Sequence, residues 1–363
     1  MARRNILVVG ATGKQGGATV RHLLAPKPGP APATDPDPSP TTNEDVYVYA
    51  LTRNPESAAA KNLVASVRQL HGDDAASKVE LVKGDLTDAN GIRATFERIA
   101  TTDGGIWGVF VAQQFPGLGK KDDGERDRGI MLANLALEFN VAAFIYSTTL
   151  QPAARNEDIN EYSRTAKRAI ELHCQSLTER GLNWIILQPG FFMENFEGTM
   201  GRVAVTFFDA GLKKETTISV IASDDIGRVA AAVFADHQRY LHKTIGLTSG
   251  PLTMDEIKAA YQRGTGKPMP TIPVPAFVVR LLLWLNAASR GVIGDIETHQ
   301  KARDTGQFEH FDEEVQLGQS IVNLLSFEEW ARRADAAASA TAASENASGW
   351  NQLSIFKLLT GRS

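Results

Sequence analysis

A chain of 363 residues with 43% hydrophobic content can bury one large core, or a core with a smaller attached lobe. Its net charge of -4 supplies no basic field for direct nucleic-acid binding, and its one cysteine, Cys174, excludes an internal disulfide framework and fits a reducing compartment. Met1 to Asn5 lead at once into an apolar run with no room for a signal peptide, and the most apolar later stretch, Ala276 to Ala288, is too short for a bilayer and contains Arg280. The expectation is a cytoplasmic protein, with nuclear residence also open, no membrane partner, and a buried or partner-facing helix at 276–288.

The first element is the most telling. Ile6-Leu7-Val8-Val9 reads as a buried strand that runs directly into glycines at Gly10, Gly13 and Gly16, followed by the helical Ala18-Thr19-Val20-Arg21. A strand, a tight glycine turn and a helix start present free backbone N–H groups and a positive helix end to an anion, and glycines let a diphosphate approach without Cβ contact. Gly10, Thr12, Gly13, Lys14, Gln15 and Gly16 are the candidate dinucleotide residues. An ordinary glycine-containing strand-to-helix turn is the bland alternative.

Pro26 to Asp45 is a proline-rich insertion that cannot supply helix or ladder hydrogen bonds and reads as extended. The second strand, Val46 to Leu51, then ends in Thr52-Arg53-Asn54-Pro55 with no acid at its tip. A carboxylate there would hold the ribose diol of NAD, whereas an arginine can fork onto the 2′-phosphate of NADP, so Arg53 with Lys14 favours NADP(H). A solvated surface cation is the other reading of Arg53.

Further strands are expected at 79–85, 106–112, 143–147 and 183–188, separated by amphipathic segments near 56–70, 88–100, 125–140 and 160–180. Repeated βα units predict an α/β, doubly wound Rossmann-type parallel sheet with ligands at the carboxyl ends of its strands. Those ends carry Asp85, for the adenine edge or a helix cap, and Asp88, a helix cap. They also carry Gln113 beside the ribose and nicotinamide, Ser147-Thr148-Thr149, and the loop Gln188 to Asn195. Phe191 and Phe192 in that loop either wall the nicotinamide or serve as plain core.

Together these stretches resemble the NmrA-like family of atypical short-chain dehydrogenase/reductases. The resemblance is carried by Val9 to Gly16, Leu51 to Pro55, Gly84 to Asp88, Lys167 to Glu171 and Pro189 to Asn195, and is extended by Asp225 to Val233, Leu252 to Ile257 and Ser326 to Trp330. It covers roughly residues 4–333 outside the insertion. It implies an NADP(H)-binding Rossmann domain at 1–190 and a smaller α+β substrate lobe at 191–333, with 219–238 returning to the body. Both reductases and cofactor-sensing regulators occur in the family, so a small-molecule substrate and a regulatory protein partner such as a transcription factor are both open. The resemblance also points to fungal secondary metabolism.

Carbonyl reduction commonly uses a tyrosine one helical turn before a lysine, with a serine nearby. Lys167 is present, but the residue four before it is Ser163, and Tyr162 projects about a hundred degrees away. Three readings follow. Lys167 supplies or relays the proton itself, as in the isoflavone-reductase-like branch that this helix resembles, with Ser147, Thr148 or Ser163 orienting a substrate oxygen. Alternatively Lys167 only binds the nicotinamide ribose and the cleft senses the cofactor, or Lys167 and Glu171 form an exposed helical pair. The seven histidines show no metal-site spacing, and His173-Cys174 reads as helix packing.

Beyond the sheet, Ser219 to Asp225 should bring the chain back, with Asp225 as a helix cap. Thr244 to Thr248 and Pro270 to Val274 read as short strands of the smaller lobe, joined by a helix capped at Thr253, and helices at 275–289 and 326–337 complete it. The tail from Ala334 to Gly349 is alanine- and serine-rich, with alanines that can continue a frayed helix, and Trp350 to Leu359 reads as a short amphipathic docking helix.

Overall fold

Strands that are apolar on both faces persist only where helices cover the sheet from both sides, and Ile6, Leu7, Val8, Val109, Phe110, Phe144, Ile145, Ile185 and Ile186 are all fully buried. The computed structural model describes residues 3–26, 46–113, 124–150, 162–308 and 310–342. The first half alternates strictly: β1 (Arg4–Val9), α1 (Lys14–Leu23), β2 (Val46–Thr52), α2 (Ala58–Ser77), β3 (Val79–Lys83), α3 (Ala89–Asp103), β4 (Gly108–Ala112), α4 (Glu125–Glu138), β5 (Ala143–Ser147), α5 (Tyr162–Ser176) and β6 (Trp184–Pro189). The second half is β7 (Phe191–Phe192), α6 (Gly198–Gly211), β8 (Thr217–Ile221), α7 (Ser223–Ala235), α8 (His237–Tyr240), β9 (Thr244–Leu247), β10 (Gly250–Thr253), α9 (Met254–Thr265), α10 (Ala276–Leu285), α11 (Ala287–Asp304), α12 (Phe311–Gln319) and α13 (Phe327–Ala342).

The main sheet runs β3-β2-β1-β4-β5-β6-β9, with every neighbouring pair parallel. This is the doubly wound α/β architecture expected from the alternation. Its strand order reverses between β1 and β4, which opens a crevice at their carboxyl ends. One apolar cluster fills each face of the sheet. A third lies in the lobe around Met193, Phe196, Ile257 and Trp330. There a small sheet, β10-β8-β7, packs beside the main one, and Gly190 allows the approach, since a Cβ on it would stand 2.4 Å from the Ser219 carbonyl oxygen.

Several expectations for the second half need correction. Thr244 to Leu247 is not a lobe strand but the seventh strand of the main sheet, paired in parallel with β6, because α7 carries the chain back across the body before it. The return begins at Ser223, after β8 has joined the small sheet. α7 lies so close to α1 that a Cβ on Gly227 would stand 2.4 Å from the Ala18 carbonyl carbon. Pro270 to Val274 forms no strand; prolines at 268, 270, 273 and 275 remove ladder donors, and Gly250–Thr253 pairs antiparallel with β8 instead. Asp225 does not cap α7. The cap position is Ala222, whose own side chain makes no capping bond, and Asp225 accepts from Leu325 N at 2.7 Å and Arg228 at 3.0 Å.

α11 and α12 went unforeseen. The stretch at 276–288 is only half buried: Val279 and Leu283 face the core, whereas Phe277, Leu281, Trp284 and Leu285 are exposed. Among the described residues no single helix is long and apolar enough to cross a membrane. The alanine-rich tail continues α13 to Ala342. Residues 27–45 of the insertion and the Trp350 to Leu359 segment lie outside the described residues.

Candidate functional site

Gly10 adopts φ +79°, a left-handed conformation that glycine accepts without strain. A Cβ there would stand 2.2 Å from the Ala112 carbonyl oxygen, so Gly10 lets the ends of β1 and β4 meet. A Cβ on Gly16 would lie equally close, 2.2 Å, to the Gly10 carbonyl oxygen. These two glycines press α1 against the turn, and Gly13 N closes it by donating to Gly10 O at 2.9 Å. Gly13 is the N-cap of α1, with no side-chain cap and no acid in the first turn. Helical N–H groups and the positive dipole end therefore face outward at the crevice, between half-buried Thr12 and exposed Lys14. These residues fit a dinucleotide diphosphate.

Arg53 immediately follows β2 and is exposed. Asp85, past β3, accepts from the N–H and hydroxyl of Thr87 at 2.9 and 2.8 Å, which makes it a local turn residue. Those bonds, then the nearby charges of Arg53 and Arg128, hold its carboxyl below the usual range. Helix capping falls to Asp88, which accepts from Gly91 N at 2.9 Å. Arg128, on α4, is thus a second cation at this end of the crevice. Sequence reading missed it because it sits among alternating charges, Glu125-Arg126-Asp127-Arg128, that look like a solvated face.

The floor of the crevice differs most from expectation. Lys167 and Glu171 are both buried, not an exposed pair, and each has its own partners. Lys167 Nζ donates to the fully buried carboxylate of Glu125, the first residue of α4. Glu171 accepts from Arg168 at 3.0 Å and from Gln188 at 3.2 Å. Burial raises its carboxyl, opposed by Arg168 and by hydrogen bonds that include one from Thr148. Ser147 Oγ donates to Gln15 Oε1 at 2.6 Å and so joins the end of β5 to the first turn of α1. At the end of β4, Gln113 has both amide atoms buried without a hydrogen-bond partner among the described residues, as is the Tyr146 hydroxyl. Burial first, then the charges of Glu125 and Glu171, push that hydroxyl well above its ordinary value. Tyr162 and Ser163 begin α5, but their side chains lie outside the described residues.

The far wall comes from the lobe. Phe191 is half-buried and packs on Phe196 and Phe208 with ring centroids 5.5 and 5.6 Å away, as a core residue does. Glu194 caps α7 from a distance, taking Ser223 N at 2.8 Å and its hydroxyl at 2.7 Å on Oε1. Its buried Oε2 has no partner among the described residues, and burial raises the carboxyl. Lys14 pairs with Glu197 at 3.3 Å and so links the glycine turn to the lobe. His173 bonds Asn134 at 2.8 Å, and burial pushes the neighbouring Cys174 thiol up to about 12, which fits packing more than nucleophilic chemistry.

Comparison with known proteins adds to this geometry. An NmrA-like oxidoreductase of Aspergillus hancockii, hkm9, is 27% identical over 284 residues, spanning 73% of each chain. Among solved structures, NmrA, a negative transcriptional regulator in complex with NADP, matches with a TM-score of 0.63 at 16% identity over 95% of this chain and 99% of that one. The triphenylmethane reductase of Citrobacter sp. complexed with NADP(H) matches at 0.57 and 17%, over 91% and 99%. The model of the NmrA-like family matches residues 2–331, and the chain belongs to that family.

Proposed function

We propose that the protein is an NADPH-dependent reductase of a small carbonyl or conjugated organic substrate, working in the cytoplasm. The observation that carries this reading is the open amino end of α1, whose first turn is hydrogen-bonded through Gln15 to Ser147 on the crevice floor. The N–H groups of the α1 turn would hold the diphosphate, and Arg53, with Arg128 nearby, would hold the 2′-phosphate. The cofactor, when bound, supplies a hydride. Lys167 would hydrogen-bond the nicotinamide ribose and donate toward a substrate oxygen, which Ser147 helps to orient. The lobe after β6 would select the substrate, the usual task of such an annex. The names of the oxidoreductase relative and the structurally similar reductase support a reductase; fungal secondary metabolism is part of the proposal.

The test is NADPH consumption, followed by absorbance, with a panel of quinones, enones and aldehydes and with metabolite extract. Turnover that Lys167→Ala abolishes while leaving the protein folded is the expected result. A second reading, a cofactor-sensing regulator that also enters the nucleus, is favoured by one observation: Phe277, Leu281, Trp284 and Leu285 lie on one face of α10, 53–72% exposed. It expects NADPH and NADP⁺ to differ in their effect on capture of a partner protein. Silence across the substrate panel together with such a difference would favour it over the reductase.

A further inference from the structure

α4 and α5 pack together over β4 and β5, and their contact buries a pair of opposite charges. Glu125 is fully buried, Lys167 is 8% exposed, and the two are ion-paired. The contact is held close by Gly129, one turn after Glu125 on the same face of α4. A Cβ on Gly129 would stand 2.4 Å from Ile170 Cδ1 and 2.9 Å from Gln113 Nε2. Ile170 in turn follows Lys167 by one turn on α5. One pair of helix faces thus carries the ion pair, the close approach and the end of β4.

Stability alone does not account for this arrangement, because well-packed apolar residues of similar volume commonly serve as well as a buried ion pair or better. Glu125 has a favourable seat in the first turn of α4, where the helix dipole suits an anion. A lysine ammonium has three N–H groups on a flexible stem, so its position must be imposed from outside.

We propose that Glu125 is the positioning residue for Lys167: it takes one N–H of the ammonium, fixes where Nζ stands, and leaves the other two N–H groups for a ribose hydroxyl of the bound nicotinamide nucleotide and for the substrate oxygen. This rests on the reading that Lys167 contacts the cofactor. Gly129 belongs to the same device, since it sets the distance across which the pair forms.

The experiment is titration with NADPH, followed by nucleotide fluorescence, on the full chain and on Lys167→Met, Glu125→Gln, Glu125→Asp and the double variant Glu125→Leu/Lys167→Met, each with its thermal midpoint. Loss of a hydrogen bond to a charged group predicts roughly tenfold weaker NADPH binding in both Lys167→Met and Glu125→Gln. Glu125→Asp should recover most of that loss. The double variant should regain a wild-type midpoint yet still bind weakly. A double variant that recovers both midpoint and affinity would make the pair structural and overturn the proposal. Weak binding by Lys167→Met with wild-type binding by Glu125→Gln would overturn the positioning claim alone. Wild-type binding by Lys167→Met would remove Lys167 from the cofactor site, and the proposal with it.

Discussion

The starts of α1 and α9 face the same physical problem and solve it in opposite ways. At α9, Thr253 accepts from Glu256 N while Glu256 Oε2 accepts from Thr253 N at 2.8 Å, so the helix closes its own amino end. At α1 the cap is Gly13, no side chain among the described residues closes the end, and the glycines that keep it open also bring the ends of β1 and β4 together. α7 lies between the two, because its first N–H is taken by Glu194 from another segment. Where a helix satisfies its own donors the residues report on stability. Where it leaves them facing a crevice at the strand-order switch, they report on a ligand.

Substitutions at the two helix starts should therefore separate binding from stability. The largest effect is expected at the open end. Gly10→Val would place a branched side chain at φ +79°, with its Cβ 2.2 Å from the Ala112 carbonyl oxygen. Strain and clash together should cost several kcal/mol, seen as a lower thermal midpoint and a loss of NADPH affinity of about two orders of magnitude. Next is Arg53→Ala, which should weaken NADPH by roughly tenfold to a hundredfold and leave NADH unchanged, because only NADPH carries the 2′-phosphate. Equal losses for both nucleotides would remove Arg53 from the phosphate site.

At the closed end, Thr253→Ala should lower stability by about 1 kcal/mol without changing NADPH affinity. A change in affinity there would break the contrast between the two helices. The smallest effect is one of pH. Burial, then the charge of Glu171, raises the Glu314 carboxyl to about 7, so the folded state favours its protonated form. That stabilisation is present below the ordinary carboxylate range and is lost as pH rises through about 7. The thermal midpoint of the wild type should fall more than that of Glu314→Gln between about pH 5 and about pH 8. Parallel curves would show that Glu314 ionises alike in the folded and unfolded states.

Much of the main sheet was legible in the sequence because most of its strands are nearly continuous apolar runs next to an amphipathic segment, and the glycine turn was legible because its geometry is local. The second half was not. β7, β9 and β10 have only two to four residues each, too few to show a period, and the assignment of Thr244–Leu247 to the main sheet depends on where α7 carries the chain. Lys167 could be found from its family resemblance. Its partner could not: Glu125 lies 42 residues away on another helix, inside a run of charges that reads as solvent-facing. The available signal was Gly129 one turn on, a small residue marking a close helix contact. Asp225 misled for a similar reason, since its partner, Leu325 N, is 100 residues distant.

The central claim is that a diphosphate seats on the amino end of α1. Its most direct test is NADPH titration into isotopically labelled protein, with the backbone amide resonances of Gly13, Lys14, Gln15 and Gly16 followed to saturation. The account predicts that these four shift together and saturate at the same nucleotide concentration as the fluorescence of the bound cofactor. Absence of binding, or saturation with these amides unmoved, would contradict it.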